Sequence, residues 1–129
     1  MLRGRSAKGH WFGTVIDGPD PQALGMFYHQ VIGWEIHRNE PNEFVLAVPG
    51  NSETYLAFQP QTSVPWARPV WPAAEGRQQM MMHLDIEVGR LDAAVGHAVE
   101  LGATLADFQP QPNVRVLLDP AGHPFCLYT

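Results

Sequence analysis

Cysteine is almost missing from this sequence. Cys126 is the single thiol in 129 residues, so no internal disulfide framework can staple the chain, and a reducing compartment suits it. Basic charge is scarce too: eight Lys and Arg stand against thirteen Asp and Glu, for a net charge of −5. A surface of that sign has no face with which to neutralise phosphates, which argues against nucleic acid or an anionic membrane as partner. No apolar run approaches the ~20 residues a membrane-spanning helix needs. The charged stretch from Met1 to Lys8 has no apolar segment behind it of the kind a secretory leader carries. A cytoplasmic protein without membrane contact is the expectation. A phosphate-cradling glycine loop, a dinucleotide-binding glycine pattern and a cysteine cluster for zinc are all lacking.

What is present describes a globular domain. Hydrophobic residues make up 45% and charged residues 16%, enough to bury a core without staples. Residues 1–9 are expected to form a flexible tail, and residues 10–129 a single domain. The first strand is expected at His10–Asp17. Gly18-Pro19-Asp20-Pro21 breaks it, with Asp20 suited to cap a helix and Pro21 to its first position, where a missing N–H costs nothing. Leu24, Phe27, Tyr28 and Val31 follow at helical spacing up to Gly33, a suitable cap at the other end. Three short strands come next, at Trp34–Arg38, Glu43–Val48 and Thr54–Gln59, separated by turn-rich tetrapeptides.

A proline-rich stretch carrying Trp66 and Trp71 interrupts the pattern, and then the pattern recurs. Met80–Val88 reads as a strand, Leu91–Leu101 as a helix ended by Gly102, and Thr104–Phe108, Val114–Leu118 and Phe125–Thr129 as three more strands. Gly33 and Gly102 hold equivalent places, as do Leu56-Ala57-Phe58 and Phe125-Cys126-Leu127, at an offset of ~70 residues. The chain thus divides into a β-α-β-β-β module at 10–62, a connector at 63–78 and a second module at 79–129. Alternation along Met80–Val88 places Met82, Leu84, Ile86 and Val88 on an oily face, and Met81, His83, Asp85 and Glu87 on a polar one.

Three stretches carry a specific likeness: Asp20-Pro21-Gln22-Ala23-Leu24 with Phe27-Tyr28 and Ile32-Gly33-Trp34; Met82-His83-Leu84-Asp85-Ile86-Glu87-Val88; and Asp119-Pro120-Ala121-Gly122-His123-Pro124-Phe125-Cys126-Leu127. In these the chain resembles the vicinal oxygen chelate superfamily of glyoxalases, bleomycin-resistance proteins and extradiol dioxygenases, and most of all its glyoxalase-like domain branch. The resemblance implies an α+β fold in which two βαβββ modules form a curved mixed-sheet cup, and it implies a homodimer. It also implies metal-ligand slots on the first and last strands of each module, which fall at Gly13, near Ala57, at His83 and at Cys126.

Only His83 keeps a usual ligand at those slots. Gly13 and Ala57 carry no donor, and Cys126 stands where a carboxylate is typical. A catalytic divalent site needs about three protein ligands, so no metal cofactor is expected; a divalent metal held through His83 is the alternative, with Gln59 and Asp85 two residues from a slot. A thiol–imidazole pair of His83 and Cys126 is weaker still, as nothing in the sequence suggests an oxyanion hole. His29 and His97 read as surface residues on helices, and His123 as part of a structural turn. Four tryptophans favour the binding of an aromatic ligand, although Trp66 and Trp71 could equally pin the connector to the sheet. The expected ligand-binding residues are Trp11, Gln59, Trp66, Trp71, Met81, His83, Asp85 and Cys126. The expected function is capture of a small apolar or aromatic molecule. A metal-dependent lyase, isomerase or dioxygenase is the competing reading, and the sequence does not decide whether a reaction occurs.

Overall fold

The computed structural model describes residues 2–6 and 8–129. The first module contains β1 (Phe12–Gly18), α1 (Pro21–Ile32), β2 (Ile36–Glu40), β3 (Glu43–Ala47) and β4 (Thr54–Pro60). The second contains β5 (Leu84–Glu87), α2 (Leu91–Glu100), β6 (Thr104–Leu105), β7 (Val114–Leu118) and β8 (Pro124–Tyr128). Each module forms a four-stranded sheet of the same order, β1-β4-β3-β2 and β5-β8-β7-β6. In both sheets the first and last strands of the module run parallel, and the other neighbours run antiparallel. This is an α+β fold built from a repeated βαβββ unit.

Local chemistry sets the helix ends. The Asp20 side chain accepts the Ala23 N–H at 3.0 Å, which satisfies one of the free donors at the start of α1. Gly33 closes α1 at φ +82°, a conformation in which any Cβ would be strained, and its N–H donates to the His29 carbonyl at 2.9 Å. The ring of His29 is not free on the surface: its Nδ1 donates to the Trp34 carbonyl at 2.6 Å, tying the helix to the segment that follows. Arg90 precedes α2 and provides no side-chain cap there; Asp92 in the first turn favours the helix dipole at that end.

One core serves both modules. Tyr28 on α1 stacks on Phe58 of β4, with ring centroids 5.4 Å apart, and meets Phe125 of β8 edge-on at 5.9 Å. Phe27 also meets Phe125 at 5.9 Å, so the first module's helix seats against the second module's last strand. Leu84, Ile86 and Val88 pack against this core, as their alternation requires. Gly25 brings α1 close to β3, where a Cβ would stand 2.2 Å from the Phe44 ring.

Two strands are shorter than their sequences imply. β5 begins at Leu84, and Met80–His83 lie outside the ladder. Its pairing with β8 starts at Leu84 and Phe125; Pro124, just before, has no N–H to extend it, and Gln79 bridges to Val70 of the connector instead. The alternating faces therefore do not reach the methionines, and Met82 is exposed rather than packed. β6 stops at Leu105 because the Gln109 amide takes over the pairing. It donates to the Ala106 and Val116 carbonyls at 2.8 and 2.9 Å and accepts the Val116 N–H at 2.8 Å.

The expected flexible tail falls partly on residues 1 and 7, which lie outside the described residues. Within the same segment, the Arg5 guanidinium donates to the carbonyls of His10 and Trp11, and the Gly9 N–H donates to Glu53 at 2.8 Å. No helix among the described residues is long and apolar enough to cross a membrane.

Candidate functional site

The parallel ladder of β5 and β8 sets Asp85 directly beside Cys126, and His83 lies two residues before Asp85 on the same side. His83 Nε2 is 3.1 Å from Asp85 Oδ1. One donor atom from each of His83, Asp85 and Cys126 lies within 4.8 Å of the others. Burial first, then the charge of Asp85 and a hydrogen bond from the thiol to that carboxylate, push Cys126 up to about 11. The group is therefore a neutral thiol near neutral pH, a hydrogen-bond donor rather than a nucleophile.

These three polar groups sit in a cleft of ≈ 350 Å³ on the open face of the second sheet. Trp71, Met80, Pro110, Val114, Pro124 and Tyr128 supply mostly apolar walls around them. Trp71 reaches the cleft from the connector and is held there by its indole N–H, which donates to the Phe108 carbonyl at 3.2 Å. A ligand could meet an indole face, a thiol, an imidazole and a carboxylate within one concavity.

The corresponding face of the first module has different chemistry. The positions matching His83, Asp85 and Cys126 are Gly13, Val15 and Ala57, and none carries a donor side chain. The Tyr55 ring lies over Gly13 so closely that a Cβ there would be 2.1 Å away, so the vacant ligand slot is covered by an aromatic ring. Trp11 sits beside it, 5.8 Å from the Tyr55 ring centroid, in a cleft of ≈ 410 Å³ that shares no lining residue with the second module's.

Of the eight residues expected to bind a ligand, the structure gathers Trp71, His83, Asp85 and Cys126 in the second module's cleft. Trp66 and Met81 line a neighbouring cleft of ≈ 460 Å³ between the two modules, and His83 borders both spaces. Trp11 stands in the first module's cleft. Gln59 lines none of the three; it pairs with Asp17 across the β1/β4 ladder and donates to Glu43 at 3.5 Å. The indole N–H of Trp66 donates to the Ala121 carbonyl at 2.8 Å, so both connector tryptophans are pinned and each also presents a ring to a cleft.

The sequence reading passed over Met80, which takes the place beside His83 and Asp85 that was expected of Met81. It also passed over the surroundings of His123. Asp119 is fully buried and accepts from Tyr28 Oη at 2.8 Å, from the N–H groups of Ala121 and His123 at 2.9 Å, and from His123 Nδ1 at 2.8 Å. The proline–glycine turn itself was legible. Its buried partner lies 91 residues away in α1 and left no local signal.

Comparison with known proteins agrees with this architecture. A family described as a glyoxalase-like domain matches residues 13–128. A glyoxalase/bleomycin resistance protein/dioxygenase family enzyme from Burkholderia phytofirmans PsJN superposes with a TM-score of 0.63 at 20% identity, over 89% of this chain and 94% of that one. The fosfomycin resistance protein FosX from Mesorhizobium loti gives 0.60 at 14% identity, over 100% and 93%. TnmS3, an antibiotic binding protein from Streptomyces sp. CB03234, gives 0.58 at 18% identity, over 96% and 98%. No curated protein matches the sequence. At such identities the likeness to these structures speaks for the fold alone. With the repeated βαβββ modules and a family match over nearly its whole length, the chain belongs to the glyoxalase-like domain family.

Proposed function

We propose that this protein captures a small apolar or aromatic molecule on the open face of its second module, without a catalytic metal. The observation that carries this reading is the composition of that cleft: an indole and several apolar side chains surround three polar groups, one of them a thiol that keeps its proton. Aromatic walls supply stacking and apolar burial, and the polar groups orient the ligand. Among similar structures, an antibiotic binding protein offers a precedent for sequestration. Titration with planar polyaromatic and glycopeptide antibiotics tests the reading through tryptophan emission. Saturable quenching that Trp71→Ala abolishes is expected. No binding across the panel, and no protection of sensitive cells, would end the sequestration account.

A homodimer forms part of this proposal. β1 and β5 are each hydrogen-bonded on one side only, and Trp11, Phe12, Val15, Met81 and Met82 are exposed on or beside these edges. A second copy would cover them and add its own walls to the cleft. Light scattering should give twice the 14.3 kDa chain mass. A monomer at 100 µM, a concentration on the order of those used for weak complexes, would remove this part of the proposal.

One observation favours a second reading, a divalent-metal enzyme. His83, Asp85 and Cys126 offer three donors in one small space, a mixed N, O and S set suited to a borderline cation such as zinc, which would polarise a bound oxygen atom as a Lewis acid. All three come from one module, and Cys126 would have to release its proton on binding. Cobalt titration separates the readings, because a Cys126 thiolate on Co²⁺ gives a charge-transfer band that Cys126→Ser removes. A stoichiometric band would favour the enzyme.

A further inference from the structure

The cleft between the modules is walled differently from the open face of the second sheet, although the two share Met80, His83 and Pro124. It is the larger of the two, at ≈ 460 Å³. Trp66, Met81, Met82 and Ile16 make it apolar, and no Lys or Arg lines it. His123 stands in its wall, with its ring 5.4 Å from that of Trp66.

His123 is unusually well oriented. The buried Asp119 carboxylate lies 2.8 Å from Nδ1 and receives three further donors, so it acts only as an acceptor. Nδ1 must then carry the ring proton, and in the neutral imidazole Nε2 is left with a lone pair. Nε2 has no hydrogen-bond partner among the described residues. The neighbouring Trp66 is fixed to the same turn, through its indole N–H and the Ala121 carbonyl, and Arg68 holds the turn from outside through the Pro120 carbonyl at 2.8 Å. A rigid turn therefore presents an aromatic face and a fixed hydrogen-bond acceptor to an apolar cleft. Asp17 on β1 also lines the cleft, and with no cation there to offset it, carboxylate or phosphate ligands are disfavoured.

We propose that this inter-module cleft is a second small-molecule site, selective for an uncharged planar aromatic that bears a hydroxyl group, with His123 Nε2 accepting the hydroxyl hydrogen bond and Trp66, Met81 and Met82 holding the ring. The site does not depend on ligand capture by the second module's open face. His123 orients and selects the ligand, and no bond is made or broken.

The test uses the full chain with carbon-13 labelled methionine methyl groups, and two probes of similar size, 1-naphthol and 1-fluoronaphthalene. Met81 and Met82 line this cleft and not the open-face one, so their methyl signals distinguish the two sites. Both signals should shift saturably with 1-naphthol, in the wild type and in Trp71→Ala alike. The ratio of 1-naphthol to 1-fluoronaphthalene affinity should fall about fivefold in His123→Phe, the loss expected for one hydrogen bond. Should that variant not fold, the nitrogen-15 signal of His123 Nε2 in the wild type gives a second readout. It should move with 1-naphthol and stay in place with 1-fluoronaphthalene. Unmoved Met81 and Met82 signals, an unchanged affinity ratio or an Nε2 signal blind to the hydroxyl would each overturn the proposal. Binding that depends on Trp71 and leaves Met81 and Met82 unmoved would overturn it too, while leaving the open-face site intact.

Discussion

Replacing Tyr28 with Phe removes one oxygen and little else. The ring keeps its stacking on Phe58 and its edge contacts with Phe27 and Phe125, so the core volume is nearly conserved. What disappears is the 2.8 Å hydrogen bond to Asp119, a carboxylate 1% exposed that cannot turn to water for a replacement. A hydrogen bond to a charged group contributes ~1.5–3 kcal/mol. Three donors remain on Asp119, which keeps the loss within that range rather than above it. For a chain of this length ~1 kcal/mol corresponds to roughly 4 °C in Tm, so Tyr28→Phe should melt roughly 6–12 °C lower. The same contact has a pH signature. Burial, then the charge of Asp119 and the hydrogen bond to it, raise the Tyr28 pKa well above its ordinary value. The folded state thus favours the neutral phenol, and its contribution is complete below pH ~10, where the unfolded phenol is also neutral. It is lost as pH rises above that, because only the unfolded chain then releases the proton. Chemical denaturation between pH 8 and 11 should therefore show the gap between wild type and Tyr28→Phe narrowing above pH ~10. A Tm within a degree of wild type, together with a gap that does not change with pH, would refute the role assigned to this contact.

Three further outcomes follow. Helix propensity alone says Gly25→Ala should stabilise α1 by ~1 kcal/mol, but the new Cβ would stand 2.2 Å from the buried Phe44 ring. Overpacking of ~1–3 kcal/mol outweighs that gain, so thermal melting should show a lower Tm. Cys126, lifted to about 11, should react slowly with iodoacetamide at pH 8 and faster in Asp85→Ala, which removes both the neighbouring charge and the acceptor; mass spectrometry follows the alkylation. Val15→Lys places a charge on the open edge of β1 and should shift the proposed dimer towards monomer in sedimentation.

The fold was legible because its signals are local and repeated. Asp20, Pro21 and Gly33 mark the ends of α1 by the chemistry of capping, and the structure uses each residue in that role. The spacing of Gly33 and Gly102, and of Leu56-Ala57-Phe58 and Phe125-Cys126-Leu127, exposed the duplication. Strand ends were less legible, since Gln109 ends β6 with its side chain and Pro124 limits β5 from a neighbouring strand. Neither effect follows from propensity. At the site, alternation puts His83 and Asp85 on one side, and the family resemblance puts Cys126 in a ligand slot; the β5/β8 ladder sets it beside them. Trp11 and Gln59 were grouped with them through the idea of one shared cup, whereas the two modules' concave faces share no residue within a chain. The Asp119–His123 pair was hidden for a different reason: its meaning depends on Tyr28, which only the folded chain brings near.

The central claim is metal-independent capture of an aromatic molecule beside Trp71, His83, Asp85 and Cys126. Isothermal titration in excess EDTA, with the strongest ligand from the antibiotic panel, addresses it most directly. The account predicts stoichiometric binding that the chelator leaves unchanged and that Trp71→Ala weakens by at least about tenfold, the loss expected for an aromatic anchor. Binding or turnover that vanishes in EDTA and returns with added zinc would contradict it.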